Sequence, residues 1–111
     1  MQRARDLDEQ ALAINRRLFN GDHLHVATNL NHLGRDLYLL GEVKRALELH
    51  EQALAMFQRL YQGDHRQHAY SLLNLANDLR ELGGVERARE LDEQALAMRQ
   101  RLAERRSAPD R

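Results

Sequence analysis

The sequence LDEQALA occupies Leu7–Ala13 and returns unchanged at Leu91–Ala97, and the near copy LHEQALA lies midway between them, at Leu49–Ala55. The three copies begin 42 residues apart. A fixed period of this length is typical of proteins that stack one structural unit repeatedly. Similarity between the first two copies continues through the turn sequence GDH, at residues 21–23 and 63–65. We therefore take 42 residues as the repeating unit.

Each unit is predicted to contain two amphipathic helices. Apolar residues recur every three or four positions from Ala27 to Leu40, and Gly41 follows at the place where a left-handed helix cap is favoured. The same periodicity resumes at Val43 and lasts to about Tyr61. Applied along the chain, the pattern predicts five helices, near Arg3–Phe19, His25–Leu40, Val43–Tyr61, Arg66–Leu82 and Val85–Arg105.

The GDH turns separate one unit from the next. Asp22 and Asp64 are predicted N-caps, because a carboxylate at this position can accept hydrogen bonds from the free amides of the following helix. Gln67 follows Asp64 at the spacing of a capping box. His23 and His65 recur because the turn recurs, which favours a turn or capping role for them over a metal site.

Neither helix of a unit can bury its apolar stripe alone, so neighbouring units must stack. In the repeated phrase we expect Leu7, Ala11 and Leu12 to face inward. The sequence thus predicts a single all-α domain over residues 1–106, an α-solenoid of about two and a half units, followed by a disordered tail at 107–111. The expected units are a half unit at 1–23 and two full units at 24–65 and 66–106.

Composition restricts the classes of function. Seventeen basic and seventeen acidic side chains cancel, so no net positive charge draws the chain to nucleic acid or to an anionic membrane. Cysteine is absent, which excludes disulfide frameworks and thiolate metal sites and fits a reducing compartment. No apolar run has the length of a signal peptide core or a membrane span. We expect a cytoplasmic protein without a nucleic-acid or membrane partner.

No constellation of catalytic residues is recognisable. HEQAL at 50–54 begins like the zinc-protease motif HExxH, but its fifth residue is Leu54, so the second imidazole is missing. Besides the tyrosines, the hydroxyl side chains are Thr28, Ser71 and Ser107, and none has a base at a suggestive spacing. We therefore predict neither enzyme activity nor a metal or other cofactor.

A family resemblance emerges from the first complete unit, VATNLNHLGRDLYLLGEVKRALELHEQALAMFQRLYQGDH at Val26–His65. It resembles a tetratricopeptide repeat (TPR) in the 42-residue form known from kinesin light chains, which also recurs in many bacterial proteins. The resemblance depends on LNHLG at 30–34, on Gly41, on the alanines Ala46 and Ala53, and on the GDH turn. It implies a right-handed α-solenoid.

The sequence departs from the TPR pattern at several aromatic positions. Leu37 and Leu79 replace an aromatic residue of the first helix, and His50 replaces one midway along the second helix. Armadillo and HEAT repeats are less similar, because they need a third helix or a proline-kinked one, and the only proline is Pro109.

The resemblance also implies a function, since the first helices of successive TPR units line a concave groove that holds a peptide or a helix of a partner protein. Carried over residue by residue, the groove side chains are Thr28, Asn31, Arg35, Tyr38, Tyr70, Leu73, Asn77 and Arg80. Asn31, Arg35 and Tyr38 are spaced four and three residues apart, so they are predicted to share an exposed face. Arg35 and Arg80 can hold a carboxylate of the partner. For each residue, an ordinary solvated surface is the alternative interpretation.

Self-assembly is the alternative function, either as a homo-oligomer or as part of a longer TPR array that serves as scaffold or sensor of a signalling protein. The first and the last predicted helices both correspond to the second helix of a unit, and no polar capping helix is recognisable at either end. Apolar area is expected to stay uncovered on the last helix at Leu91, Leu96, Met98 and Leu102.

Overall fold

The computed structural model describes residues 2–107, and this part of the chain consists of five α-helices joined by short turns. The helices are α1 (Gln2–Leu18), α2 (Leu24–Leu39), α3 (Val43–Leu60), α4 (Arg66–Glu81) and α5 (Val85–Ser107). The prediction of five helices is confirmed, and every predicted boundary lies within two residues of the observed one. Ser107, predicted to begin the tail, is the last residue of α5, and residues 108–111 lie outside the described residues.

Successive helices pack against each other, so the chain is an all-α helical repeat. α2 packs on α1 and α3, and α4 packs on α3 and α5. α2 and α4 also contact each other, whereas the backbones of α1, α3 and α5 make no such contact among themselves. The stack therefore curves with α2 and α4 on its inner side and with the three longer helices on its outer side.

The first helix of each unit ends in a Schellman motif. Gly41 has φ 87°, a conformation that glycine adopts without strain. Its N–H donates to the carbonyl of Tyr38 at 3.0 Å, and the N–H of Glu42 donates to the carbonyl of Leu37 at 2.8 Å. The predicted cap at Gly41 is confirmed, and the same arrangement recurs at residues 83–84.

The histidines of the GDH turns are the N-caps, so the prediction of Asp22 and Asp64 as N-caps is wrong. Nδ1 of His23 accepts a hydrogen bond from the backbone N–H of His25 at 3.1 Å, and Nδ1 of His65 does the same for Gln67. Each capping ring stacks on an aromatic ring, with centroids 3.7 Å apart for Phe19 and His23 and 4.0 Å apart for Tyr61 and His65. This stacking holds the imidazole beside the helix end.

The aspartates of the GDH turns instead bind arginines near the end of the second helix of the following unit. Arg59 donates through Nε and Nη2 to the two carboxylate oxygens of Asp22, at 2.6 and 2.8 Å. Arg101 binds Asp64 in the same way, at 2.6 and 2.9 Å. These hydrogen bonds lower the pKa of both carboxyl groups below its ordinary value. Each pair joins the start of one helix to the last turns of its antiparallel partner.

The apolar interior consists of two adjoining clusters. The first is contributed by α1, α2 and α3, with Phe57, Leu30 and Leu37 as its largest fully buried side chains. The second is contributed by α4 and α5 around Leu72, Leu75 and Leu91. Leu47 and Leu54 of α3 pack against the second cluster, so α3 connects the two.

Both ends of the stack leave apolar side chains exposed. On α5, Leu91 is buried, Met98 and Leu102 are half-buried, and only Leu96 of the predicted apolar set is exposed. Leu47 and Leu54 of α3 pack against the second cluster, and their equivalents on α5 are Arg89 and Leu96, which are both exposed. The end of the stack at α5 therefore presents one charged and one apolar side chain, and the absence of a polar capping helix stays a prediction. At the other end, Leu12 is buried as predicted, Ala11 is half-buried and Leu7 is exposed.

Candidate functional site

Two neighbouring cavities open on the inner side of the stack, where α2 faces α4. The first has a volume of about 460 Å³ and is lined by Thr28, Asn31, His32, Arg66, Gln67, Tyr70 and Arg99. The second has a volume of about 280 Å³ and is lined by Arg35, Tyr38, Leu39, His50, Tyr70, Asn74, Asn77 and Asp78. Because Tyr70 lines both cavities, we treat them as one continuous groove.

Most of the predicted binding residues line this groove. Six of the eight do so: Thr28, Asn31, Arg35, Tyr38, Tyr70 and Asn77. Leu73 instead packs against the second core cluster. Arg80 forms an ion pair with Asp92 and donates to Oδ1 of Asn77 at 3.0 Å, so its guanidinium group is already engaged.

Asn31 departs from the exposed face on which it was expected. Its side chain is only 3% exposed, and Nδ2 donates to the hydroxyl of Ser71 at 3.2 Å. This hydrogen bond ties α2 to α4 at the floor of the groove. Oδ1 of Asn31 is buried and has no hydrogen-bond partner within residues 2–107. The expected face is therefore only partly correct, with Arg35 exposed and Tyr38 half-buried against the first core cluster.

A buried ionisable pair forms part of the groove floor, and the sequence analysis did not foresee it. Nδ1 of His50 contacts the carboxylate of Asp78, and these side chains are 2% and 0% exposed. Gly34 provides room for the imidazole, since a Cβ built on Gly34 would lie 2.5 Å from Nε2 of His50. The signal was the repeat register, in which His50 stands where the other copies have Asp8 and Asp92.

Positive charge predominates along the groove. Arg35, Arg66 and Arg99 line it and are exposed, and none forms an ion pair within the described part of the chain. Asp78 is the only carboxylate among the lining residues, and it is bound to His50. The groove therefore suits a ligand that carries carboxylate or other anionic groups.

Three features of residues 2–107 concern metal ligands, the buried serine and helix hydropathy. No group of three or more histidine, aspartate and glutamate side chains comes close enough to hold a metal ion there. Ser71 is fully buried and its hydroxyl accepts from Asn31. Within the same residues, the hydropathy and length of each helix fall short of what a transmembrane segment needs.

A family model described as tetratricopeptide repeat matches residues 1–59 and 27–101. The chain belongs to the tetratricopeptide repeat family. TPR folds generally serve as scaffolds for protein–protein interaction and are typically non-catalytic. A search of curated proteins gives no significant match to this TPR chain.

Solved structures place the chain within one type of TPR. A Podosopora anserina protein assigned as a kinesin light chain with nearly identical TPR-like repeats is 31% identical, with a TM-score of 0.81 over 87% of this chain. BtubC (BKLC) from P. vanneervenii is 28% identical, with a TM-score of 0.84 over 99% of this chain. The chain spans 46% and 44% of the length of these two proteins. It is a TPR protein of the kinesin-light-chain-like type.

Proposed function

We propose that this TPR chain is a non-catalytic interaction module whose groove holds a peptide or helix of a partner protein, and that the bound segment carries carboxylate groups. The observation that carries the proposal is the set of three groove arginines, Arg35, Arg66 and Arg99, which lack ion-pair partners in the described residues. We place the interaction in the cytoplasm, because a chain without cysteine fits a reducing compartment.

The groove offers three kinds of contact to such a segment. Arg66 and Arg99 line the same cavity, so their guanidinium groups can bind one carboxylate through forked hydrogen bonds. The ring of Tyr70 lies between the two cavities and offers an apolar surface to a side chain. Nδ2 of Asn74 is buried without a partner in the described residues and can donate to a peptide carbonyl. Arg80, which the TPR resemblance implies as a carboxylate ligand, is paired with Asp92.

Fluorescence anisotropy with short labelled peptides tests the proposal. The probes are alanine–leucine peptides that carry two, one or no glutamates, with glutamine at the vacated positions. We expect affinity to rise with the number of glutamates and to fall with added salt. Arg66→Gln with Arg99→Gln should weaken binding of the two-glutamate peptide by roughly tenfold or more, since a charged hydrogen bond contributes about 1.5–3 kcal/mol.

Arg16→Gln is the matched control, because Arg16 is exposed on α1 and lies outside both cavities. Equal binding of the glutamate and glutamine peptides, or equal losses in the groove variant and the control, would show that the groove does not recognise carboxylates.

Self-association through the ends of the stack is a second candidate function. Both ends expose large apolar side chains that could pair, Leu7, Ile14 and Leu18 on α1 and Val85 and Leu96 on α5. Light scattering over a concentration series tests this candidate directly, and a monomer at the highest concentration would exclude it.

A further inference from the structure

Three residues that line one cavity of the groove each have a buried polar atom without a hydrogen-bond partner in residues 2–107. These atoms are Nε2 of His50, Oδ1 of Asp78 and Nδ2 of Asn74. The cavity has a volume of about 280 Å³ and lies between α2 and α4. A buried polar atom without a partner costs free energy, so a ligand group that satisfies all three atoms is bound favourably there. The chemistry of these atoms therefore indicates the ligand.

The hydrogen-bonding character of the three atoms follows from their side chains. Nδ2 of Asn74 is a donor, and Oδ1 of Asp78 is an acceptor. Nδ1 of His50 contacts Oδ2 of Asp78. We assign the imidazole proton to Nδ1, because an ionised carboxylate only accepts, and the neutral ring then leaves Nε2 as an acceptor. The cavity thus offers one donor and two acceptors.

The complementary set, two donors and one acceptor on an uncharged group, is that of the carboxamide of asparagine or glutamine. Lysine and arginine side chains have donors only, and a hydroxyl group has a single donor. A carboxylate has acceptors only and would be repelled by Asp78. The rings of Tyr38 and Tyr70 also line the cavity and suit the methylene groups that precede a carboxamide.

Gly34 leaves the acceptor side of the His50 ring without a covering methyl group. A Cβ built on Gly34 would lie 2.5 Å from Nε2. Any larger residue at this position would therefore occupy the space next to Nε2.

The three polar groups do not recur with the repeat. The equivalents of Asn74 and Asp78 in the preceding unit are His32 and Asp36, and the equivalent of His50 is there an aspartate. The asparagine donor and the imidazole acceptor are thus both replaced in that unit. The combination is a property of this one cavity and not of the TPR pattern in general.

We propose that this cavity is a carboxamide subsite, which takes the side chain of one asparagine or glutamine of the bound segment. The NH2 group of that side chain donates to Oδ1 of Asp78 and to Nε2 of His50, and its carbonyl oxygen accepts from Nδ2 of Asn74. The inference rests on the proposed function, and it specifies the carbonyl that Asn74 binds. The segment then carries an uncharged amide next to the carboxylates that Arg66 and Arg99 bind in the neighbouring cavity.

A small amide tests the subsite without any peptide. The probes are propionamide, butanone, which has a methyl group in place of NH2, and propionate. In NMR spectra of the isotope-labelled chain, propionamide should shift the signals of Nε2 of His50 and Nδ2 of Asn74 saturably, whereas butanone and propionate should not. The two signals are identified by their loss in His50→Asn and Asn74→Ala. Equal shifts with propionamide and butanone, or no shift because water alone occupies the cavity, would overturn the proposal.

Peptide binding tests whether the subsite acts within the groove. In the two-glutamate peptide, each alanine or leucine in turn is exchanged for glutamine or for methionine, which lacks an N–H donor in its side chain. At one position, glutamine should bind roughly tenfold more tightly than methionine in fluorescence anisotropy, because methionine leaves the buried atoms unpaired. Asn74→Ala should remove this preference, whereas Asn77→Ala, at an exposed asparagine of the same cavity, should keep it.

The outcomes separate this inference from the proposed function. Peptides that respond to the number of glutamates but bind equally with glutamine and methionine at every position would overturn the carboxamide subsite alone. A preference for glutamine that survives Asn74→Ala would overturn it too, because Asn74 would then not be the donor. Peptides that show no response to glutamates would contradict carboxylate recognition by the groove, and the propionamide titration would then decide on the subsite by itself.

Discussion

Gly34 lies against the imidazole of His50 so closely that a Cβ on Gly34 would stand 2.5 Å from Nε2 and 2.6 Å from Cδ2. The next unit has Ala76 at the position of Gly34 and Asp92 at the position of His50. An aspartate is shorter than an imidazole, so the methyl group of Ala76 can be accommodated and is fully buried. The smaller residue on the first helix, Gly34, thus accompanies the larger residue on the second helix, His50, and Ala76 accompanies the smaller Asp92.

This relationship predicts that the effect of Gly34→Ala on the free energy of unfolding changes sign when His50 is replaced by a smaller residue. In the natural chain we expect a loss of about 1–3 kcal/mol in the free energy of unfolding, because the added methyl group displaces a buried ring. In a His50→Asn background, the same substitution should be neutral or should stabilise by up to about 1 kcal/mol, since alanine favours the helix over glycine. Urea denaturation of the four proteins measures the coupling. Equal effects of Gly34→Ala in both backgrounds would contradict the proposed contact.

Asp8 and Asp36 are the repeat equivalents of His50 and Asp78. Two carboxyl groups therefore face each other at this place, where the next unit pairs an imidazole with a carboxyl group. Burial and the neighbouring Asp8 raise the pKa of Asp36 from 3.8 to about 6. The folded protein therefore holds a proton on Asp36 more tightly than the unfolded chain does. The stabilisation from this proton is present below about pH 4 and is lost as the pH rises through about 6.

We predict that Asp8→His, which copies the second unit, stabilises the protein above pH 6 by about 1 kcal/mol, because an ionised Asp36 then has a hydrogen-bonding partner. The variant should also remove the fall in Tm between pH 4 and pH 7 that Asp36 produces. Differential scanning calorimetry across this pH range measures both effects. Asp6→His is the control, since Asp6 is an exposed aspartate of the same helix. An equal gain in the control would attribute the effect to net charge and not to Asp36.

The contribution of His65 to stability should depend on pH in the opposite direction to that of Asp36. Burial, His68 and Arg66 lower its pKa below 6.5, because the charged imidazole is disfavoured there. The neutral ring accepts a hydrogen bond at Nδ1 from the N–H of Gln67, and protonation removes this acceptor. The contribution of His65 to stability is therefore complete above pH 6.5 and decreases as the pH falls below that value.

His65→Ala should lower the free energy of unfolding at pH 7.5 by about 1–2 kcal/mol, through loss of the cap and of the stacking on Tyr61. His65→Asn should lose less, because asparagine is a good N-cap but cannot stack. Both variants should lose the acid sensitivity assigned to His65, which chemical denaturation at pH 7.5 and pH 5.5 will show. If Asn and Ala have the same effect, the cap contributes little and the stacking accounts for the stability.

The helices and their stacking could be predicted because the 42-residue period and the leucine spacing are local properties of the sequence. The N-caps could not, since aspartate is ordinarily the better cap, and what displaces it is an arginine 37 residues later, at Arg59 or Arg101. Arg80 could not be recognised as occupied either, because its partner Asp92 lies on the next helix. The groove residues followed the family register, but the burial of Asn31 depends on the contact between α2 and α4, which no local pattern contains.

The α5 end of the stack gives the last prediction, because one of the residues that would face a following unit differs between α3 and α5. Leu47 of α3 packs against the second core cluster, whereas its equivalent on α5 is the exposed Arg89. Arg89→Leu adds a large apolar side chain to the face of α5 that already exposes Leu96, and such a side chain gains about 1.5–3 kcal/mol on full burial. We expect the variant to self-associate with rising concentration in light scattering, whereas Arg16→Leu, at an exposed position of α1, should leave the oligomeric state of the natural chain unchanged. A variant that stays in the state of the natural chain at every concentration would show that Arg89 does not prevent association at this end.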